Sequence, residues 1–341
     1  MEHRREFWVL LTAIFAASVG IGIIAPLISL YAHSLGATGL LLGLIFSAFS
    51  ISRSIFMPFL GKLSDLRGRR PFIILGLAAY GAISLLYTLA ESTGYLLAVR
   101  FLHGLAAAMV FPVAMAYVGE ITPPGREGTY MGTFNVAFFG GFGLGPLMGG
   151  GVRDLLGIQA AFYIMGALST VALLLVLFLL PESPSLKRRG GERPSYRALL
   201  RLPLMRGLMA FRLVGAAGMS TIMTFLPILV VGGLKLSGSQ LGLLISAAVL
   251  TASVLQVPSG RLADRLSRNG LVASGGILAG LAILCIPLMG SFRGLLIVSL
   301  TLGVANAISL PAATALLVGM GRGHGMGSSM ALLNLAMSIG F

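Results

Sequence analysis

Eleven apolar stretches divide the chain, at roughly residues 8–32, 38–60, 71–90, 94–119, 129–152, 158–181, 207–232, 239–259, 270–289, 294–318 and 325–341. A helix needs about 20 mainly apolar residues to cross the hydrocarbon of a bilayer. The first ten stretches meet that length and the eleventh is a fragment. The pattern therefore predicts an all-α integral membrane protein with ten complete transmembrane helices and part of an eleventh. One polar segment is much longer than the rest: 182–206 carries Pro-Glu-Ser-Pro and Lys-Arg-Arg-Gly-Gly-Glu-Arg-Pro. It reads as a solvated linker between a bundle at 1–181 and a second at 207–341. Its basic cluster either touches anionic headgroups or only sets topology.

The pattern repeats. Gly61 to Phe142 aligns without a gap on Gly260 to Phe341, an offset of 199 residues. Matched pairs include Gly61/Gly260, Asp65/Asp264, Arg69/Arg268, Gly76/Gly275, Gly104/Gly303, Pro112/Pro311 and Asn135/Asn334. Shared apolar composition would not align glycines, prolines and charges, so the unit occurs twice in parallel orientation. Two parallel six-helix repeats with a site between them are one plan for secondary transporters. Unit one ends near Leu180, and the same offset puts the end of unit two near residue 379. The second repeat is accordingly expected to be incomplete, a C-terminal truncation lacking the end of helix 11 and helix 12.

Composition supports the membrane reading. Apolar residues form 57% of the chain and charged residues 10%, against about 25% charged in a soluble domain. The net charge of +14 suggests nucleic acid only until the charges are located. With the N-terminus in the cytoplasm, 18 of 24 Lys and Arg fall in cytoplasmic segments, three outside, and Arg53, Arg100 and Arg212 within spans. That bias sets an N-in orientation, makes the lipid bilayer the partner and argues against nucleic acid. The first span is too long for a signal peptide and reads as a retained helix. Cys285 is the single cysteine, which excludes an intrachain disulfide and offers no metal cluster. Without a nucleophile triad, phosphate loop or metal set, the chain is expected to be no enzyme and to carry no cofactor.

Three segments carry candidate chemistry. The first is Gly61-Lys62-Leu63-Ser64-Asp65-Leu66-Arg67-Gly68-Arg69-Arg70, a tight turn after the second helix. Its aspartate is unexplained by positive-inside bias. The second copy keeps Gly260, Asp264 and Arg268 but has Ser267 in place of Gly68. In the fourth helix, Arg100, His103 and Gly104 share a face through i,i+3 and i,i+4 spacing. Arg100 would lie roughly 9 Å and His103 roughly 14 Å into the membrane. A central arginine costs about 2.5–3.5 kcal/mol on insertion scales and needs a partner or water. The third segment, in the fifth helix, is Gly141-x-x-x-Gly145-Pro146-x-x-Gly149-Gly150, whose small residues let helix backbones approach closely.

The first segment resembles the signature loop of the major facilitator superfamily, and the resemblance covers the whole chain. It implies a rocker-switch transporter of the major facilitator fold in the cell inner membrane, moving a small molecule, with protons as the coupling ion and a monomeric state. It further implies a cytoplasmic gate built from Gly61, Asp65, Gly68, Arg69, Arg70, Glu120, Arg126, Asp264 and Arg268. Asp65 would approach the start of helix 11 near Gly325 to Ser328, and Asp264 would be a degenerate copy. The fifth-helix motif is similar to that of the exporting antiporter branch, which favours multidrug-type efflux. The family's helix-4 arginine is linked to proton transfer, which makes Arg100 a candidate for coupling, with a structural carbonyl or headgroup contact as the alternative. His103 is a second candidate by its titration range. Arg53 either meets a carbonyl or points into a cavity. Asn135, Thr221, Thr224 and Asn306 either touch substrate or bond between helices.

Against that pattern, none of the ten acidic residues falls deep inside a span. This weakens carboxylate-based coupling and a cationic substrate. It leaves open uptake or facilitated diffusion of a sugar or organic anion, and a truncated non-transporting membrane protein.

Overall fold

The computed structural model describes residues 3–25, 27–183, 195–236 and 238–340. Among them every ordered element is helical: α1 (Arg4–Ile24), α2 (Leu27–Ser34), α3 (Gly39–Arg67), α4 (Arg70–Thr88), α5 (Thr93–Ile121), α6 (Glu127–Leu156), α7 (Ile158–Leu179), α8 (Tyr196–Arg201), α9 (Pro203–Pro227), α10 (Gly238–Arg265), α11 (Arg268–Cys285), α12 (Phe292–His324) and α13 (Met326–Gly340). A π-helical segment, Ile228–Gly233, extends α9, and a 3-10 turn, Ile286–Leu288, extends α11. Each apolar stretch of the sequence falls on one of these helices, with the first divided between α1 and α2. Eight helical segments among the described residues are long and apolar enough to cross a membrane, and α13 is a shorter apolar helix.

Helix ends follow local chemistry. Ser92 caps α5 by accepting from the Tyr95 N–H, and Ser291 caps α12 by accepting from the Gly294 N–H. The two caps are 199 residues apart. Gly68 ends α3 at φ +96°, and a Cβ there would strike the Glu182 carboxylate, so only glycine closes that turn. Ser267 stands at the equivalent place with φ −61° and caps α11 instead.

Small residues set the helix crossings, as expected where lipid is as apolar as the core. A Cβ on Gly104 of α5 would meet the Phe49 carbonyl of α3, and one on Gly303 of α12 would meet the Ala248 carbonyl of α10. Gly76 of α4 faces the Ala106 carbonyl and Val110, as Gly275 of α11 faces the Ala305 carbonyl and Ser309. Every member of these pairs is separated from its counterpart by 199 residues, so the repeat in sequence is a repeat of contacts. The first seven helices pack as one group and α9 to α13 as another, and α3, α5 and α6 meet α10, α12 and α13 across the face between them.

Candidate functional site: the face between the two halves

Asp65 lies two residues before the end of α3 and is 2% exposed. Its carboxylate accepts from the Gly327 N–H at 2.9 Å, the Ser328 N–H at 2.8 Å and the Ser328 hydroxyl at 2.6 Å. It thus caps the N-terminus of α13, in the other half. An anion at a helix N-terminus is stabilised by about 0.3–1 kcal/mol, and by up to about 2 kcal/mol when partly buried. Arg69, four residues on and 1% exposed, donates to Asp65 at 2.5 Å and to Glu120 at 2.7 Å. Burial works against its charge, but the carboxylates of Glu120 and Asp65 outweigh it and raise its pKa, so Arg69 is a permanent cation. Close approach is enforced by glycine: a Cβ on Gly61 would overlap Ala331 and lie 2.8 Å from the Gly327 carbonyl oxygen.

The second aspartate does the same in mirror order. Asp264 accepts from the Gly128 N–H at 2.6 Å, the Thr129 N–H at 2.9 Å and the Thr129 hydroxyl at 2.6 Å. It thereby caps α6 of the first half. Gly128 and Thr129 are the residues 199 positions before Gly327 and Ser328, so the two caps are equivalent. The expectation of a degenerate copy is corrected here for the cap: with Ser267 in place of Gly68, Asp264 keeps all three cap bonds, while Arg268 stands 3.8 Å away where Arg69 bonds Asp65 at 2.5 Å. Gly260 and Gly128 press together as Gly61 and Gly327 do. Arg268 donates to Glu127 at 2.7 Å, and Arg322 pairs with the same carboxylate at 2.8 Å.

Glu127 is the first residue of α6, ahead of the apolar stretch. Burial raises its pKa, but the hydrogen bond from Arg268, its own backbone and the charges of Arg268 and Arg322 outweigh this and leave it below the usual glutamate value. A carboxylate so lowered contributes fully above the unpaired value of about 4.3 and loses its contribution only as pH falls through the lowered one. The capped end should therefore keep its spacing between about pH 8 and pH 5 and loosen below about pH 4. Spin-label distances across that end check this; loosening between pH 7 and pH 5 would contradict it.

Other candidates are placed differently. Arg126 is exposed at the start of α6 with no side-chain cap; its neighbour Glu127 makes the contacts expected of that loop. Arg70 stays within its own half, donating to the Leu177 carbonyl at 2.6 Å while its backbone N–H meets Glu182. The linker is less solvated than the sequence suggests. The Ser183 hydroxyl donates to Glu120, the Tyr196 hydroxyl donates to the Pro58 carbonyl, and Leu199 and Met205 are buried. Lys187, Arg188, Arg189 and Arg193 lie outside the described residues.

In the fifth-helix motif, Gly141 meets the Phe15 carbonyl, Gly149 the Ile23 carbonyl, and Gly145 the Gly22 backbone of α1. Pro146 lies inside α6. Gly150 and Thr224 are helical but fall outside the residues whose packing is described. Arg100 donates to the Ile45 carbonyl at 3.2 Å and lies over the Phe49 ring, which ties α5 to α3. His103 is fully buried among Phe49, Tyr80 and Tyr87, with Nδ1 3.0 Å from the Tyr87 hydroxyl and Nε2 unpartnered. Asn135 bonds across the halves to Gln256 at 3.3 Å. Thr221 bonds to its own helix at Ala217, and Asn306 is exposed. Arg53 is partly exposed with a buried, unpartnered Nε. Among the described residues no group of three or more His, Cys, Asp or Glu gathers as a metal set.

The Major Facilitator Superfamily profile matches residues 10–341. The chain belongs to the major facilitator superfamily. It is a multi-pass membrane protein of a transporter family, not an enzyme. An uncharacterized MFS-type transporter of Methanocaldococcus jannaschii is 29% identical over 98% of this chain and 88% of its own length. Multidrug resistance protein 2 of Bacillus subtilis is 28% identical over 94% of this chain and 82% of its own. Quinolone resistance protein NorA of Staphylococcus aureus is 29% identical over 55% of this chain and 48% of its own. The crystal structure of the human organic anion transporter MFSD10 superposes with a TM-score of 0.85 at 22% identity, covering 100% of this chain and 92% of that one; at that identity it attests the fold alone.

For this superfamily member the sequence missed several participants: Glu127, Arg322, Thr129, Glu182 and Tyr196. The 199-residue offset held a usable signal for Thr129. Applied to Asp65's expected target near Ser328, it points Asp264 at Thr129.

Proposed function

We propose that this protein is a secondary transporter that exports a small organic compound or drug in exchange for protons. It works by rocker-switch alternating access between halves at 1–181 and 207–341 joined by 182–206. Each half derives from one six-helix repeat. The protein sits as a monomer in the cell inner membrane with its N-terminus in the cytoplasm, as the distribution of basic residues favours. The carrying observation is the pair of equivalent aspartate caps, Asp65 on α13 and Asp264 on α6. Each joins the halves at one end only, so they oppose opening there and leave the other end unconstrained. Asp65, Arg69, Glu120, Asp264, Glu127, Arg268 and Arg322 form the cytoplasmic gate in this reading. Export is supported by the glycine contacts of α6 on α1 and by the names of the Bacillus and Staphylococcus relatives. Coupling is assigned to His103, with Arg100 and Arg53 adjoining its aromatic enclosure.

The test is reconstitution of the full chain in proteoliposomes enclosing a pH-sensitive dye, with cationic, neutral and anionic compounds supplied in turn. The expected result is proton counter-flow with at least one compound, lost in His103→Phe. Substrate movement without counter-flow sinks the antiport reading. That result would favour the second reading, uptake or facilitated diffusion of a sugar or organic anion, which the lack of acidic residues inside the spans supports.

A further inference from the structure

Two arginines from opposite halves reach one depth beside α13. Arg53 stands eight residues before Gly61 on α3, about 12 Å along the helix axis, and Gly61 abuts Gly327 and Ala331 of α13. Also against α13, Arg212 of α9 sends a terminal nitrogen to within 2.7 Å of the Met337 sulfur. Met337 stands ten residues beyond Gly327, about 15 Å. α13 packs on both α3 and α9. The side chains are therefore level, and Arg53 is within electrostatic reach of Arg212.

Such a pair is costly. Like charges repel strongly away from bulk water, and arginines inside a membrane protein normally face a counter-charge, a carbonyl or a water-filled cavity. Here the Nε atoms of both are buried without a hydrogen-bond partner. A thioether sulfur is a weak acceptor. No carboxylate pairs with either arginine among the described residues, whose acidic members all fall in loops or near helix ends. Nearby, the Tyr80 hydroxyl is a further buried and unpartnered polar group, within electrostatic reach of Arg53. As whole residues both arginines are partly exposed.

We infer that Arg53 and Arg212 together bind the charged group of a small organic anion, and that this anion is the transported substrate. The inference rests on the transport reading above and narrows its substrate class. Planar guanidiniums suit carboxylate, sulfonate and phosphate oxygens through paired N–H bonds. Because the two belong to different halves, a bridging anion binds best where both reach it, so occupancy biases the conformational equilibrium. Empty, the pair repels and works against that closure.

The experiment uses the full chain in detergent micelles, titrated calorimetrically with benzoate, benzenesulfonate and phenyl phosphate, and with benzylamine and benzyl alcohol of matched size. At least one anion should bind about tenfold or more tighter than the cation and the alcohol. Arg53→Gln and Arg212→Gln should each weaken that anion by about tenfold or more, with the lysine variants intermediate. If no anion is preferred, or if both glutamine variants bind it as the unaltered protein does, the inference is overturned. Should a glutamine variant fail to fold, the order of the five probes on the unaltered chain decides. Proteoliposome flux separates the two readings. Arginine-dependent binding without flux removes transport and keeps the site. Benzylamine flux unchanged in both glutamine variants keeps transport and overturns the site.

Discussion

Asp65→Asn should shift the conformational equilibrium toward opening at the capped end by about two to three orders of magnitude. The carboxylate accepts three bonds from α13 and one from Arg69 in a site closed to water. The Arg69 pair lies within the first half and changes in every arrangement. Taking the charge from the three cap bonds, each contributing about 1.5–3 kcal/mol to a charged group, is enough for that shift, since each 1.4 kcal/mol is about a factor of ten. The loss falls only on the arrangement in which α3 meets α13, so it appears as a population shift and not as unfolding. Asp264→Asn should act in the same direction but less. Its side chain is 10% exposed and Arg268 is 23% exposed, whereas Asp65 and Arg69 are 0% and 1% exposed. Water screens the second pair more. Distances between spin labels at Lys62 and His324, in a chain with Cys285 replaced by alanine, report both variants. A distribution unchanged by Asp65→Asn would count against the assignment.

Gly145→Val should abolish stable folding of the first half. A Cβ at Gly145 would overlap the Gly22 backbone and lie 2.5 Å from the Ile23 nitrogen. Backbone cannot rotate away as a side chain can. Overpacking in a dense core typically costs about 1–3 kcal/mol, and a collision with two backbones belongs above that range. Gly140→Ala, one turn earlier with nothing within 4 Å, is the control and should be neutral. Melting temperature in detergent and the elution profile distinguish them. If Gly145→Val melts as Gly140→Ala does, the close contact of α1 and α6 is not what holds this half together.

The helices were legible because an apolar run of membrane length has one economical solution, a helix that satisfies its own backbone. Asp65 was legible because an acidic residue in a basic turn has no topological reason to exist. The partners of Asp264 were hidden for a physical reason. Gly128 and Thr129 lie more than 130 residues away, and which helix end meets a turn depends on how whole bundles dock. The sequence points to Arg126 and not Glu127 because loop charge follows topology, whereas burial and pairing depend on side-chain direction, which spacing does not give. Arg100 and His103 share a face as the spacing requires, yet that face meets Ile45 and the rings of Phe49, Tyr80 and Tyr87. Arg212 was visible as a charge in an apolar stretch. Its significance came only with Arg53 at the same depth on the opposite half.

In the proposed rocker switch the two halves pivot about a face whose one end is held by the paired aspartates. The most direct measurement places spin labels at both ends of the same protein, at Lys62 and His324 on the capped end and at Glu91 and Arg293 on the other. It compares the unaltered chain with the Asp65→Asn, Asp264→Asn double variant. The account requires the first distance to lengthen and the second to shorten together, in the same fraction of molecules. Lengthening at the capped end with no change at the other would mean local fraying in place of a pivot, and would contradict it.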